Sequence, residues 1–151
     1  MSVAPFVPDA LALDFDGVLC DGLKEYFQTA LNAYGCFWSH PEAEVLPRWE
    51  STFGRLRPVV ETGWEMPLVL RALDRGWSEA AILSDWPQIR ETILSQESIT
   101  ASQLGAQVDG LRDQWIATDL SSWLALHRFY PGVSGQLHRW VKQQFPIFIV
   151  T

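Results

Sequence analysis

Ala10-Leu11-Ala12-Leu13-Asp14-Phe15-Asp16-Gly17-Val18 is a short run that stays apolar until it reaches its carboxylates, with Pro8-Asp9 before it and Gly17 closing it. Its length and composition predict a buried parallel strand; one turn of helix is the competing reading, since periodicity does not separate the two over so few residues. Residues two apart on a strand share a side, so Asp14 and Asp16 are expected together at its carboxyl end. Open parallel sheets bind ligands beyond that end of their strands. Two like charges so placed are unfavourable unless a cation or a proton separates them. Mg²⁺ suits the pair, because it takes a few carboxylate oxygens and leaves room for water and a substrate phosphate.

A carboxylate can attack phosphorus and carry an aspartyl-phosphate, while a second carboxyl protonates the leaving oxygen and then deprotonates the attacking water. Gly17 permits the backbone bend that turns amides toward a phosphate. Asp21 stands at the expected entry to the next helix, where an N-cap is the preferred reading. An isolated Asp-x-Asp would read as a solvated strand end. The apolar strand before it, Gly17-Val18-Leu19 after it and the helix that follows favour chemistry.

Outward from this stretch, Leu23, Tyr26, Phe27, Ala30, Leu31 and Tyr34 recur at helical spacing, and Gly35 is placed to end that helix. From Ser39 to about Asp119 the pattern is helical with turns between. Pro67 suits the first position of a helix closed by Gly76. Ser78 suits the cap of the next, with Pro87 kinking or splitting it. Leu104, Val108, Leu111 and Trp115 mark one face of another. Tyr130-Pro131-Gly132-Val133 is a turn into an amphipathic helix carrying Val133, Leu137, Trp140 and Val141. Phe145 to Thr151 reads as a second buried strand. Strand, helical block, helix and strand in that order predict an α/β core interrupted by an all-helical insert.

The 151 residues are 48% hydrophobic and 19% charged, a globular composition. Eleven Lys and Arg against 18 Asp and Glu give a formal charge of −7, which argues against a general nucleic-acid binder. Cys20 and Cys36 form no metal or redox spacing, and His40, His127 and His138 are scattered. Met1 to Asp9 lacks the features of a signal peptide, and no apolar run reaches membrane-spanning length, so a reduced, cytoplasmic protein without a membrane partner is expected. The eight tryptophans fall at wide intervals inside helical patterns, which favours core packing over a stacking platform.

Asp14-Phe15-Asp16-Gly17-Val18-Leu19-Cys20-Asp21 resembles the first motif of the haloacid dehalogenase (HAD) superfamily, and Phe148-Ile149-Val150-Thr151 resembles the second. The resemblance implies Asp14 as nucleophile and metal ligand, Asp16 as general acid/base and, through its backbone carbonyl, metal ligand, Gly17 and Thr151 as phosphate-binding, and Mg²⁺ as cofactor. Asp at position 16 implies phosphate-ester chemistry, since members that cleave carbon–halogen or carbon–phosphorus bonds carry other residues there. The helical block is similar to the inserted cap of the phosphoglycolate phosphatase and β-phosphoglucomutase subgroup. The implied fold is an α/β, HAD-like Rossmannoid core, its parallel sheet incomplete, over residues 1–22 and 120–151, with an all-helical cap over 23–119.

The superfamily's third motif, a Lys or Arg, and its fourth, an acidic pair, normally follow the second, so the chain resembles the N-terminal part of a longer enzyme. Lys142 precedes the second strand and does not fill the third role. The resemblance therefore implies a phosphatase acting on a small phosphorylated metabolite, with full activity not expected of this chain alone. A phosphomutase and a non-catalytic binding fragment are the alternatives. In the cap, Arg55 and Arg57 are candidates for a substrate anion, in a polar cluster with Glu61, Thr62, Gly63, Trp64 and Glu65; the competing reading of each is a solvated turn. His127 and Arg128 read as surface or structural residues.

Overall fold

Leu11–Asp14 forms strand β1, which pairs in parallel with Ile147–Val150, strand β4, in the register Leu11–Ile147, Ala12–Phe148, Leu13–Ile149 and Asp14–Val150. The computed structural model describes residues 8–150. The protein is mixed α/β and mostly helical, 66% of it, with this small two-stranded parallel sheet. No helix among the described residues is long and apolar enough to cross a membrane.

The chain divides into two compact units, one of residues Met1–Gly22 and Ala125–Thr151 and the other of Leu23–Leu124. In the first, the α/β unit, β1 is shorter than its sequence suggests. The carbonyl of Phe15 accepts from the amides of both Leu19 and Cys20, at 3.0 Å each, and this pulls the chain out of the strand after Asp14. Cys20–Asp21, strand β2, then pairs antiparallel with Arg128–Phe129, strand β3. Tyr130 to Val133 is a type II turn: Pro131 sets the first central position, Gly132 adopts φ +85°, and Val133 N–H donates to the Tyr130 carbonyl at 3.1 Å. Helix α6, Val133–Lys142, leads from it to β4.

The two strands are not buried as expected. Leu11 and Leu13 are half-buried, whereas Phe148, Ile149 and Val150 are each more than half exposed. Parallel strands are enclosed when layers cover both faces of a sheet. Here each strand has one strand neighbour among the described residues.

The second, helical unit holds α1 (Leu23–Phe37), α2 (Leu46–Leu56), α3 (Glu65–Asp74), α4 (Glu79–Glu97) and α5 (Ala101–Leu124), with short 3-10 turns at Ala43–Val45 and Arg57–Val59. Helix α1 packs on α3 and α5, and α3 on α4, around Phe53, Leu56, Leu68, Leu70, Ile82, Ile93 and Leu104. Local sequence signals set the helix ends. Ser78 Oγ accepts from the Ala81 amide at 3.2 Å and caps α4. Gly76, at φ +83°, closes α3 in a Schellman arrangement, with Trp77 N–H on the Ala72 carbonyl and Gly76 N–H on that of Leu73. Helix α4 kinks at Asp85, two residues before Pro87. Helix α5 breaks at Asp119, whose carboxylate accepts from the Ser122 amide at 3.0 Å and restarts the helix.

Two sequence expectations are corrected. Pro67 is the third residue of α3 rather than the first, still within the turn whose amides need no helical partner. Gly35 does not end α1, which runs through it to Phe37. A Cβ on Gly35 would collide with the imidazole of His40, so this glycine makes room for a side chain.

Candidate active site

Asp14 is the last residue of β1, and Asp16 follows it two residues on, in an isolated bridge with Cys20. Both are exposed. Phe15 between them is half-buried, its ring meeting that of Phe129 edge-on at 6.1 Å. Phe15, a bend residue, is turned into this small aromatic contact, while the carboxylates on either side of it are exposed. Neither Asp14 nor Asp16 has a salt bridge within 4.0 Å or a side-chain hydrogen bond among the described residues.

The loop after Asp16 is closed by its own backbone. Gly17, at φ +74°, occupies the left-handed region, and no atom lies within 4 Å of where its Cβ would be. Conformation, not crowding, calls for glycine here. Its amide donates to the Cys20 carbonyl at 2.9 Å, and those of Leu19 and Cys20 go to Phe15, so these three donors serve the loop. The Cys20 thiol is buried, and burial raises its pKa, with the carboxylates of Asp16 and Asp21 adding to the rise; it behaves as an apolar packing group. Asp21 lies in β2 opposite Arg128, and the residue directly before α1 is Gly22. Thr151 lies outside the described residues; Val150, its neighbour in sequence, pairs with Asp14.

Arg55 and Arg57 are both engaged within the helical unit. Arg55 holds Glu79 with two 2.8 Å hydrogen bonds and also donates to Ser51 and Thr52, tying α2 to the start of α4. Hydrogen bonding to Glu79 raises the Arg55 pKa, and the same bond lowers that of Glu79. The Arg57 guanidinium lies 5.1 Å from the Tyr26 ring centroid and donates to the Val60 carbonyl at 2.8 Å. Within the polar cluster around them, Glu65 is fully buried and accepts from the amides of Glu61 and Thr62 and from Arg90, which itself lies over the Trp64 ring.

A second buried acid escaped sequence reading. Glu25 in α1 is 1% exposed and accepts from Thr29 Oγ1 at 2.7 Å, Arg112 Nε at 2.8 Å and Trp123 Nε1 at 3.2 Å. The available signal was Thr29, one turn on along the same face. Trp49 and Trp86 are buried and the other tryptophans half-buried, except Trp77, which suits the packing expected of them. No group of three or more His, Cys, Asp or Glu side chains among the described residues is placed to hold a metal.

No family model, curated protein or solved structure matches this chain.

Proposed function

We propose that Asp14 and Asp16 are the reactive pair of a HAD-type, Mg²⁺-dependent phosphoric monoester hydrolase acting on a small phosphorylated metabolite. What carries the reading is their placement: two exposed carboxylates, two residues apart, at and just beyond the carboxyl end of a parallel strand, neither with an ion pair or side-chain hydrogen bond among the described residues. Carboxylates that serve only the fold are engaged, as Glu25, Glu65 and Glu79 are in the helical unit. On this reading the helical unit corresponds to the inserted cap of that superfamily.

A carboxylate oxygen of Asp14 attacks phosphorus, and the bond from phosphorus to the substrate's bridging oxygen breaks. Asp16, entering protonated, gives its proton to the departing alkoxide. As a carboxylate it then takes a proton from water, whose oxygen attacks the aspartyl-phosphate; inorganic phosphate leaves and Asp14 is restored. The Asp14 carboxylate and, as the resemblance implies, the Asp16 backbone carbonyl would hold a Mg²⁺ ion, a donor set that does not require three acidic groups. When bound, the ion would offset the negative charge of the Asp14 carboxylate as it meets a phosphate.

Beryllofluoride, a phosphoryl mimic that coordinates to a carboxylate, tests the nucleophile without requiring turnover. In the presence of Mg²⁺ the expected ¹⁹F spectrum shows a bound species that disappears in Asp14→Asn and persists in Asp16→Asn. Aryl phosphate hydrolysis, expected to be low in this chain alone, should fall further in both variants. A bound signal that survives Asp14→Asn, or none in the unmodified protein, would overturn the assignment.

A further inference from the structure

We propose that the helical unit carries a separate small-molecule site, a cavity of about 960 Å³ beside the C-terminal turns of α1 and α3, and that its ligand is a small organic cation with an apolar body. The volume lies at the upper end of the range of pockets that hold small ligands. Phe37 and Trp38 form part of its wall, their ring centroids 5.6 Å apart.

The floor is already fixed. Arg71 pairs with Asp74 and, at 2.8 Å, with Glu97; Glu97 also accepts from Trp38 Nε1 and meets Arg75 at 3.5 Å. Tyr34, held against Asp74, is buried beneath. Two cations and two carboxylates thus balance one another, and the Arg71 guanidinium rests 5.4 Å from the Trp38 ring centroid. No cation on the floor is left over to receive an anion.

Two lining groups stand outside this network. The Glu42 carboxylate makes no capping bond at the 3-10 turn it precedes, and it has no ion-pair partner among the described residues. His40 is exposed, and its imidazole is seated over Gly35, in space that any larger residue would take. Glycine inside a helix weakens it by roughly 1 kcal/mol relative to alanine. The exchange gives the cavity a positioned imidazole, and the unbalanced charge on its lining is the negative one of Glu42. The surplus carboxylate and an imidazole that can accept a hydrogen bond suit an ammonium group, and the Phe37 and Trp38 wall suits an apolar body attached to it.

Benzylamine is the probe, with benzyl alcohol and benzoate as neutral and anionic controls, each titrated into the full chain and followed by the His40 ring and Trp38 indole resonances. Benzylamine should saturate with a dissociation constant of about 1–10 mM, ordinary for a fragment of its size. Glu42→Gln should weaken it at least about five-fold, as should Gly35→Ala, and raising the salt should weaken it in the unmodified protein. Glu42 is exposed and has no ion-pair partner among the described residues, so its replacement leaves folding intact; the salt series reads the same charge without any substitution. Absence of saturable shifts, benzoate binding as tightly as benzylamine, or affinity indifferent to both Glu42→Gln and salt would overturn the proposal. The readout involves neither Asp14 nor turnover, so it stands or falls separately from the phosphatase reading.

Discussion

In the helical unit Leu68, Leu70, Ile82, Ile93 and Leu104 are wholly enclosed, whereas the buried hydrophobic residues described in the α/β unit are Leu19 and Cys20. Val18, Phe129, Val141, Phe148, Ile149 and Val150 of the α/β unit are each about half exposed or more. The contrast follows from how each architecture satisfies itself. An amphipathic helix needs one apolar partner face, and five helices packed around a centre provide it. A parallel strand needs neighbours on both edges and cover on both faces, and two strands do not meet that need. The buried acids of the helical unit, Glu25 and Glu65, are locked to arginines, while the exposed Asp14 and Asp16 have no ion pair or side-chain hydrogen bond among the described residues. Enclosed apolar side chains are concentrated in the helical unit.

The largest expected effect tests that division directly. Leu68→Ala should cost about 2–5 kcal/mol in denaturant unfolding followed by tryptophan fluorescence, because nothing can collapse into the space of a side chain enclosed on every side. Phe148→Ala, in a side chain 61% exposed, should cost less than about 0.5 kcal/mol. Comparable losses at the two positions would erase the distinction.

A smaller, pH-dependent effect belongs to the helical unit alone. Burial, reinforced by the neighbouring Asp74 carboxylate, pushes the Tyr34 hydroxyl up to about 12 from an ordinary 10.0. Above pH 10 the unfolded chain releases this proton while the folded chain retains it. Stability should therefore fall between about pH 10 and pH 12 and level off beyond. Tyr34→Phe removes the group, so the difference between the two proteins across that window should vanish if another group is responsible.

What could be read from sequence was what is local. The Ser78 cap, the turn at Pro131-Gly132, the Schellman closure at Gly76 and the kink before Pro87 each depend on residues within a few positions of one another. Glu25 was missed because its partner Arg112 lies 87 residues away, and a lone acid in a helix reads as solvent-facing. Gly35 was misread because the His40 ring that needs its space arrives over a loop. The burial of β1 and β4 was overestimated because an apolar run reports what a strand requires of its neighbours, not which neighbours it has. Arg55 looked available as an anion receptor until its fork was found filled by Glu79.

The smallest effect probes whether the α/β unit, open as it is, still has fixed local structure. Helix α6 ends in a Schellman arrangement, with Phe145 N–H on the Trp140 carbonyl and Gln144 N–H on that of Val141, each at 3.0 Å. The residue that must turn left-handed is Gln144, at φ +54°, where the helical unit uses Gly76 for the same task. A side chain in that conformation costs roughly 1–2 kcal/mol, and glycine removes most of the penalty. Part of the gain is lost to the greater freedom of glycine in the unfolded chain, leaving a net of about 0.5–1 kcal/mol. Gln144→Gly should therefore slow hydrogen exchange at the Phe145 amide about two- to five-fold. Amides of α3 in the helical unit should not change. Unchanged or faster exchange at Phe145 would mean that this helix end is not held in solution, and that the α/β unit depends on packing it does not itself supply.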